Sequence, residues 1–131
     1  MIVLDASTVI EMLLRTPTGG RIEARISSRP ESLHAPHLID LEAAQVLRRF
    51  VAAGAIVPAR GEEAVEDLRD LSMVRYPHHM LLERVWQLRN NLTAYDAAYV
   101  ALAETLDAPL LTCDRKLASP GSHRARIEVI S

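Results

Sequence analysis

Short apolar runs alternate with stretches of helical periodicity along this chain, and that alternation limits its fold more than any other feature. Runs near residues 2–5 (IVLD), 33–35 (LHA), 73–76 (MVRY), 109–112 (PLLT) and 127–130 (IEVI) read as short strands. The segments between them carry apolar residues at helical spacing. Strands that alternate with helices call for α/β layering around a mostly parallel sheet. The chain has 131 residues, which suits one compact domain spanning 1–131. Aromatic residues make up 4 % and hydrophobic residues 49 %, so the core must be built from Leu, Val, Ile and Ala.

The helical segments have recognisable punctuation. ASTVIEMLLR turns helical directly after the first run, and Thr8 with Glu11 fits the S/T-x-x-E capping pattern. TPTGG reads as a break, and RIEARISS as a second helix. A long helix is expected from about Pro36 to Ala53, with Gly54 as its stop. Pro58 opens another that runs to about Leu71. HHMLLERVWQLRNN reads as an amphipathic helix with Met80, Leu81, Val85 and Leu88 apolar, and Trp86 in the core or an interface. DAAYVALA, from Asp96 to Ala103, is small or apolar nearly all round, so it should be sunk in the core.

Bulk properties exclude several functions. Net charge is −2, so any polyanion needs a local basic patch. The single cysteine, Cys113, rules out an internal disulfide and a Cys-rich zinc site. MIVLDAST is charged too early for a signal peptide, and no apolar run approaches the roughly 20 residues that span a bilayer. The expectation is a soluble cytoplasmic protein.

Four acids stand out because their neighbours are apolar. Asp5 follows Ile2, Val3 and Leu4. Glu42 lies between Leu41 and Ala43, Asp96 before Ala97 and Ala98, and Asp114 after LLTC. Each has a structural explanation by itself: Asp5, Asp96 and Asp114 as helix caps, and Glu42 as an acid near a helix N-terminus. Ligands of such sheets gather at the carboxyl ends of the strands, where Asp5 and Asp114 are expected. Four converging carboxylates would repel one another unless a divalent cation offset them. Oxygen-only ligands suit Mg²⁺ or Mn²⁺, and phosphodiester cleavage is the chemistry that uses such a cluster. Asp40 lies two residues from Glu42 and would face about 200° away, so it stays outside the cluster.

The segments VLDAST, LEAAQVLRR, LTAYDAAYVALAE and LLTCDRKLA resemble the four acidic motifs of PIN-domain ribonucleases. The likeness is greatest to the VapC-type toxins of bacterial and archaeal toxin–antitoxin pairs. It covers essentially the whole chain in order, and the third and fourth motifs are the most specific. By position, Asp5, Glu42, Asp96 and Asp114 match the family's metal-site acids. Ser7 matches its frequent small polar residue after the first Asp, and Thr112 its frequent Thr before the last. The resemblance implies a three-layer α/β/α PIN-like domain and an endoribonuclease that uses Mg²⁺ or Mn²⁺. It also implies a homodimer and a cognate VapB-like antitoxin whose C-terminal segment crosses the acid pocket, forming a hetero-oligomer.

Other residues offer less. His78 and His79 are adjacent and diverge on a helix, and His34 and His37 read as loop residues. Cys113 ends a buried run with no cation nearby to form a thiolate. Arg48, Arg49, Arg124 and Arg126 are candidate phosphate contacts or simple solvated surface. Arg115 and Lys116 are stronger candidates because they adjoin Asp114. The competing function is a phospho-receiver-like Mg²⁺-binding signalling module without nuclease activity. A receiver wants paired acids after its first strand, and this chain offers Asp5 alone there. A phosphatase built on D-x-D fails at Asp5-Ala6-Ser7.

Overall fold

Ile2, Val3 and Leu4 have no solvent exposure, because the first strand lies in the middle of the sheet. The computed structural model describes residues 1–119, 121 and 123–131. Its strands are β1 (Ile2–Leu4), β2 (Leu33–Pro36), β3 (Val74–Tyr76), β4 (Leu110–Thr112) and β5 (Ile127–Val129). They form one sheet in the order β3-β2-β1-β4-β5, and all four pairings are parallel. Val3 is in register with His34 on one side and Leu110 on the other.

Six helices connect the strands: α1 (Ala6–Leu13), α2 (Pro17–Ser27), α3 (Leu38–Ala52), α4 (Pro58–Asp70), α5 (Leu82–Gln87) and α6 (Ala94–Leu106). Two short 3₁₀ turns, His79–Leu81 and Arg115–Ala118, complete the described elements. Helix α1 touches α2, α3 and α4, whereas α5 packs on α6. Right-handed crossovers therefore put α1–α4 on one face of the sheet and α5–α6 on the other, giving the three-layer α/β/α arrangement. In α6 every residue from Ala97 to Ala103 is buried, as an all-round apolar helix requires.

Several local readings need correction. Thr8 is not the cap of α1; it is buried inside the helix, and Asp5 is the cap. The Asp5 carboxylate accepts the Thr8 N–H, and the Thr8 hydroxyl donates to the Asp5 carbonyl at 2.8 Å. Glu11 instead accepts the Thr16 hydroxyl. The break falls at Leu14–Thr16, so of TPTGG only Thr16 lies outside a helix; Thr16 caps α2 and Pro17 is its first residue. Gly19 then lets α2 lie against α1, since a Cβ there would stand 2.1 Å from the Glu11 carbonyl oxygen. The long helix starts at Leu38, because Pro36 belongs to β2. The amphipathic segment splits into a 3₁₀ turn and a six-residue helix, with Leu81 and Leu88 buried but Met80 and Trp86 about two-thirds exposed. Arg89 covers one face of the Trp86 ring at 4.6 Å. Asp40 does point away from Glu42, toward Arg75, which grips both its oxygens at 2.9 Å.

The second face is tied down by Glu104, whose side chain is almost fully buried. It accepts a fork from Arg84 at 2.7 and 3.0 Å and the backbone N–H of Arg124 at 2.6 Å. The Arg84 guanidinium, chiefly through these bonds, holds the Glu104 carboxyl below its ordinary 4.5. Such a group stabilises the fold above its unfolded value, and that stability is lost as pH falls through the folded value. Glu104→Gln should therefore cost about 2 kcal/mol at pH 7. Urea melts of variant and wild type should converge as pH drops below 4.5.

Candidate active site

The chain leaves β1 toward β2 and leaves β4 toward β5, so the winding reverses between two neighbouring strands. In an open parallel sheet that reversal opens a crevice at the carboxyl edge. Asp5 follows β1 and Asp114 lies two residues after β4, so both acids stand at the crevice. Asp96 enters from the first turn of α6, and Glu42 from the second turn of α3.

Asp5 is the most constrained of the four. One oxygen, Oδ1, accepts the Ser7 hydroxyl at 2.6 Å and the Thr8 N–H at 3.1 Å. The other, Oδ2, accepts the Thr112 hydroxyl. Both hydroxyls are used twice: Ser7 Oγ accepts the Cys113 N–H at 2.9 Å, and Thr112 Oγ1 accepts the Asp114 N–H at 3.0 Å. Those amides come from the end of β4, so Ser7 and Thr112 bind the two strand ends together through Asp5. A carboxylate offers about four lone-pair sites, which leaves Oδ2 one free.

The remaining acids have one anchor each. The Tyr99 hydroxyl donates to Glu42 Oε1 at 2.6 Å. Thr93 caps α6 by accepting the Asp96 N–H at 3.1 Å, which fixes the backbone of Asp96. Asp114 Oδ1 accepts the Lys116 N–H at 2.9 Å and so begins the Arg115–Ala118 turn. The capping roles and the placement at the crevice are thus compatible. Arg115 and Lys116 are exposed on that turn, beside Asp114. Arg126 pairs with Asp107 at the C-terminal end of α6, on the opposite edge of the sheet from the acids.

The acids act on one another. Burial pushes the Asp5 carboxyl up, with its hydroxyl and amide donors pulling the other way and the Asp114 charge adding to the rise. Burial also raises Glu42, and the Asp96 and Asp5 charges raise it further. Asp96 is raised by burial and then by Asp114 and Asp5. Burial and the bond to Glu42 push the Tyr99 phenol far up, so it stays a protonated donor. Burial raises the Cys113 thiol, which argues against a thiolate nucleophile. His34 is not a loop residue; it is buried in β2, between Ser32 and Tyr76 at 2.7 Å each.

Among the described residues, no three His, Cys, Asp or Glu side chains form a ready-made metal cage. The acids share a field without closing on one point. That arrangement fits Mg²⁺, which keeps several waters and takes only one or two carboxylates directly. Tyr99 escaped the sequence reading. The available signal was a hydroxyl on an otherwise apolar helix, one turn after Asp96; a buried tyrosine usually finds a partner for its O–H.

Comparisons with known proteins agree with this geometry. Residues 2–121 match the family model described as the PIN domain. The chain is 42 % identical to ribonuclease VapC9 of Mycobacterium tuberculosis over 130 residues, covering 99 % of this chain and 98 % of that protein. It is 40 % identical to ribonuclease VapC12 of the same species over the full length of both. Its fold is similar to a chain in the structure of VapBC2 from Rickettsia felis bound to a promoter DNA fragment, with TM-score 0.71, 11 % identity and full coverage of both chains.

The raised Asp96 carboxyl gives a stability test. An acid with a raised folded value stabilises the fold while protonated, below its ordinary 3.8, and that contribution is lost as pH rises through the folded value. In EDTA at pH 7, Asp96→Asn should therefore melt a few degrees higher than wild type. The gap should narrow as pH is lowered toward 3.8, and calorimetry at several pH values would measure it.

Proposed function

This chain belongs to the PIN domain family, and from that premise we propose that it is a metal-dependent endoribonuclease, the toxin of a toxin–antitoxin pair. The carrying observation is the cluster of four carboxylates at the strand-order reversal, three of them raised by burial and by one another. Near full-length similarity to proteins named VapC ribonucleases supports the same activity. A receiver-like module is disfavoured by the strand order β3-β2-β1-β4-β5, because receivers follow 2-1-3-4-5.

Asp5, Glu42, Asp96 and Asp114 would hold Mg²⁺ or Mn²⁺, with Asp5 and Asp96 as the direct ligands. When bound, such an ion makes hydroxide available from water near neutral pH and offsets charge on the phosphoryl oxygens. The chain supplies the positioning. Ser7, Thr112 and the Thr8 N–H fix the Asp5 carboxylate, leaving one Oδ2 lone pair free. Tyr99 keeps its proton and steadies Glu42. Arg115 and Lys116, exposed beside Asp114, would contact RNA phosphates. Neither Cys113 nor His34 is suited to the role of nucleophile: burial raises the Cys113 thiol, and His34 is committed to Ser32 and Tyr76.

Two partners follow. Met80, Leu82 and Trp86, on the 3₁₀ turn and α5, are large apolar side chains left mostly exposed, which suits a homodimer contact. A VapB-like antitoxin would block the acid crevice; the R. felis structure of similar fold is named as a VapBC2 pair. Light scattering should give a dimer for the wild type and a monomer for Trp86→Glu; a monomeric wild type would remove the dimer.

Asp5→Asn keeps shape and removes charge. It should lower RNA cleavage by roughly a thousandfold or more while leaving the fold intact. EDTA should silence the wild type, and Mn²⁺ should restore it. Products should carry 5′-phosphate and 3′-hydroxyl ends. Full cleavage by Asp5→Asn or in EDTA, or a 2′,3′-cyclic phosphate product, would overturn the metal mechanism.

A further inference from the structure

We propose that the groove between α3 and the start of α6 is a nucleotide subsite, in which Tyr95 stacks an unpaired base of RNA next to the scissile bond. The proposal rests on the ribonuclease reading and gives that site a basis for choosing where to cut. The groove holds about 500 Å³, a space suited to one nucleotide. Glu42, one of the four acids, forms part of its wall, so the groove adjoins the acid site there. Two more wall residues adjoin acids in the chain: Ala6 follows Asp5, and Tyr95 precedes Asp96.

The lining has the chemistry of a base pocket. Leu38, Leu41 and Val46 give an apolar surface, and Leu41 is 78 % exposed. Tyr95 is 64 % exposed and presents an aromatic ring at the mouth. Every nucleobase has a π-face, so stacking on such a ring tolerates sequence and adds affinity. Gln45 and Arg49 project from the same side of α3 as Glu42, three and seven residues on. Both are exposed, and among the described residues neither has a side-chain hydrogen bond or ion pair within the protein. An amide can read a base edge, and a guanidinium can hold the adjoining phosphate. The opposite wall is fixed, because His78 Nε2 accepts the Leu38 N–H at 2.9 Å.

An apolar peptide or a second copy would also cover leucines. The free guanidinium and the continuity with the acid cluster favour a nucleotide. Folding does not depend on the Tyr95 ring, which is mostly in solvent, so Tyr95→Ala should melt with the wild type.

The test maps cut sites by end sequencing of total cellular RNA digested with Mn²⁺-loaded protein. Tyr95→Ala should cut roughly five- to a hundredfold more slowly and lose base preference at one position beside the scissile bond. Tyr95→Phe should retain rate and preference, since stacking needs the ring and not the hydroxyl. Gln45→Ala should flatten the same position. If Tyr95→Ala cuts the same sites at the wild-type rate, there is no subsite here. If it instead turns a dimer into a monomer in sedimentation, the groove holds a second copy and the proposal fails. If the wild type cuts no RNA, the ribonuclease reading fails, and the subsite with it.

Discussion

A buried carboxylate at Asp5 is the constraint on which the rest of the site depends. Removing that group from water is unfavourable unless donors and charges replace the solvent. Three donors do so in part: Ser7, Thr112 and the Thr8 amide. They do not suffice, since the carboxyl remains raised. The neighbouring acids make matters worse, and this is hard to reconcile with selection for stability alone. The proposed cation would offset that repulsion.

The same residues join two parts of the fold. Ser7 belongs to α1 and Thr112 to β4, and each hydroxyl bridges Asp5 to an amide after β4. The switch point is therefore closed by polar contacts rather than by packing. Helix α6 works similarly on a larger scale. Its middle is buried, while its first turn delivers Asp96 and its Tyr99 steadies Glu42. One helix thus fills the core and sets two acids.

Much of the architecture was legible in the sequence. The five strands lie within a residue or so of their expected positions, because short runs set between helical segments have few alternatives. Gly54 does end the long helix, with φ of 73°. The acids were visible because charge beside apolar residues is conspicuous. What failed was local. The start of α1 had two candidate caps, Thr8 and Asp5, because a matching T-x-x-E pattern competes with a single Asp at the strand end; Asp5 holds it. TPTGG read as a break because Pro and Gly are usual breakers, whereas here Pro17 fits the first helical turn and Gly19 permits close contact with α1. Trp86 read as core because its size suggests burial, and a six-residue helix is too short to turn it inward. Tyr99 went unread because its partner lies 57 residues away.

The parallel pairing of β1 with β4 also bears on when activity can begin. Val3 meets Leu110, so the first strand waits for nearly the whole domain before its second edge is filled. Loop-closure entropy makes such distant pairings late events in folding. During synthesis, Asp5 leaves the ribosome long before Asp96 and Asp114, and for that interval it has no Thr112 to hold it. A nascent chain of this design carries an unassembled centre past the translation machinery. Until β4 joins the sheet, a chain of this design holds no complete acid centre.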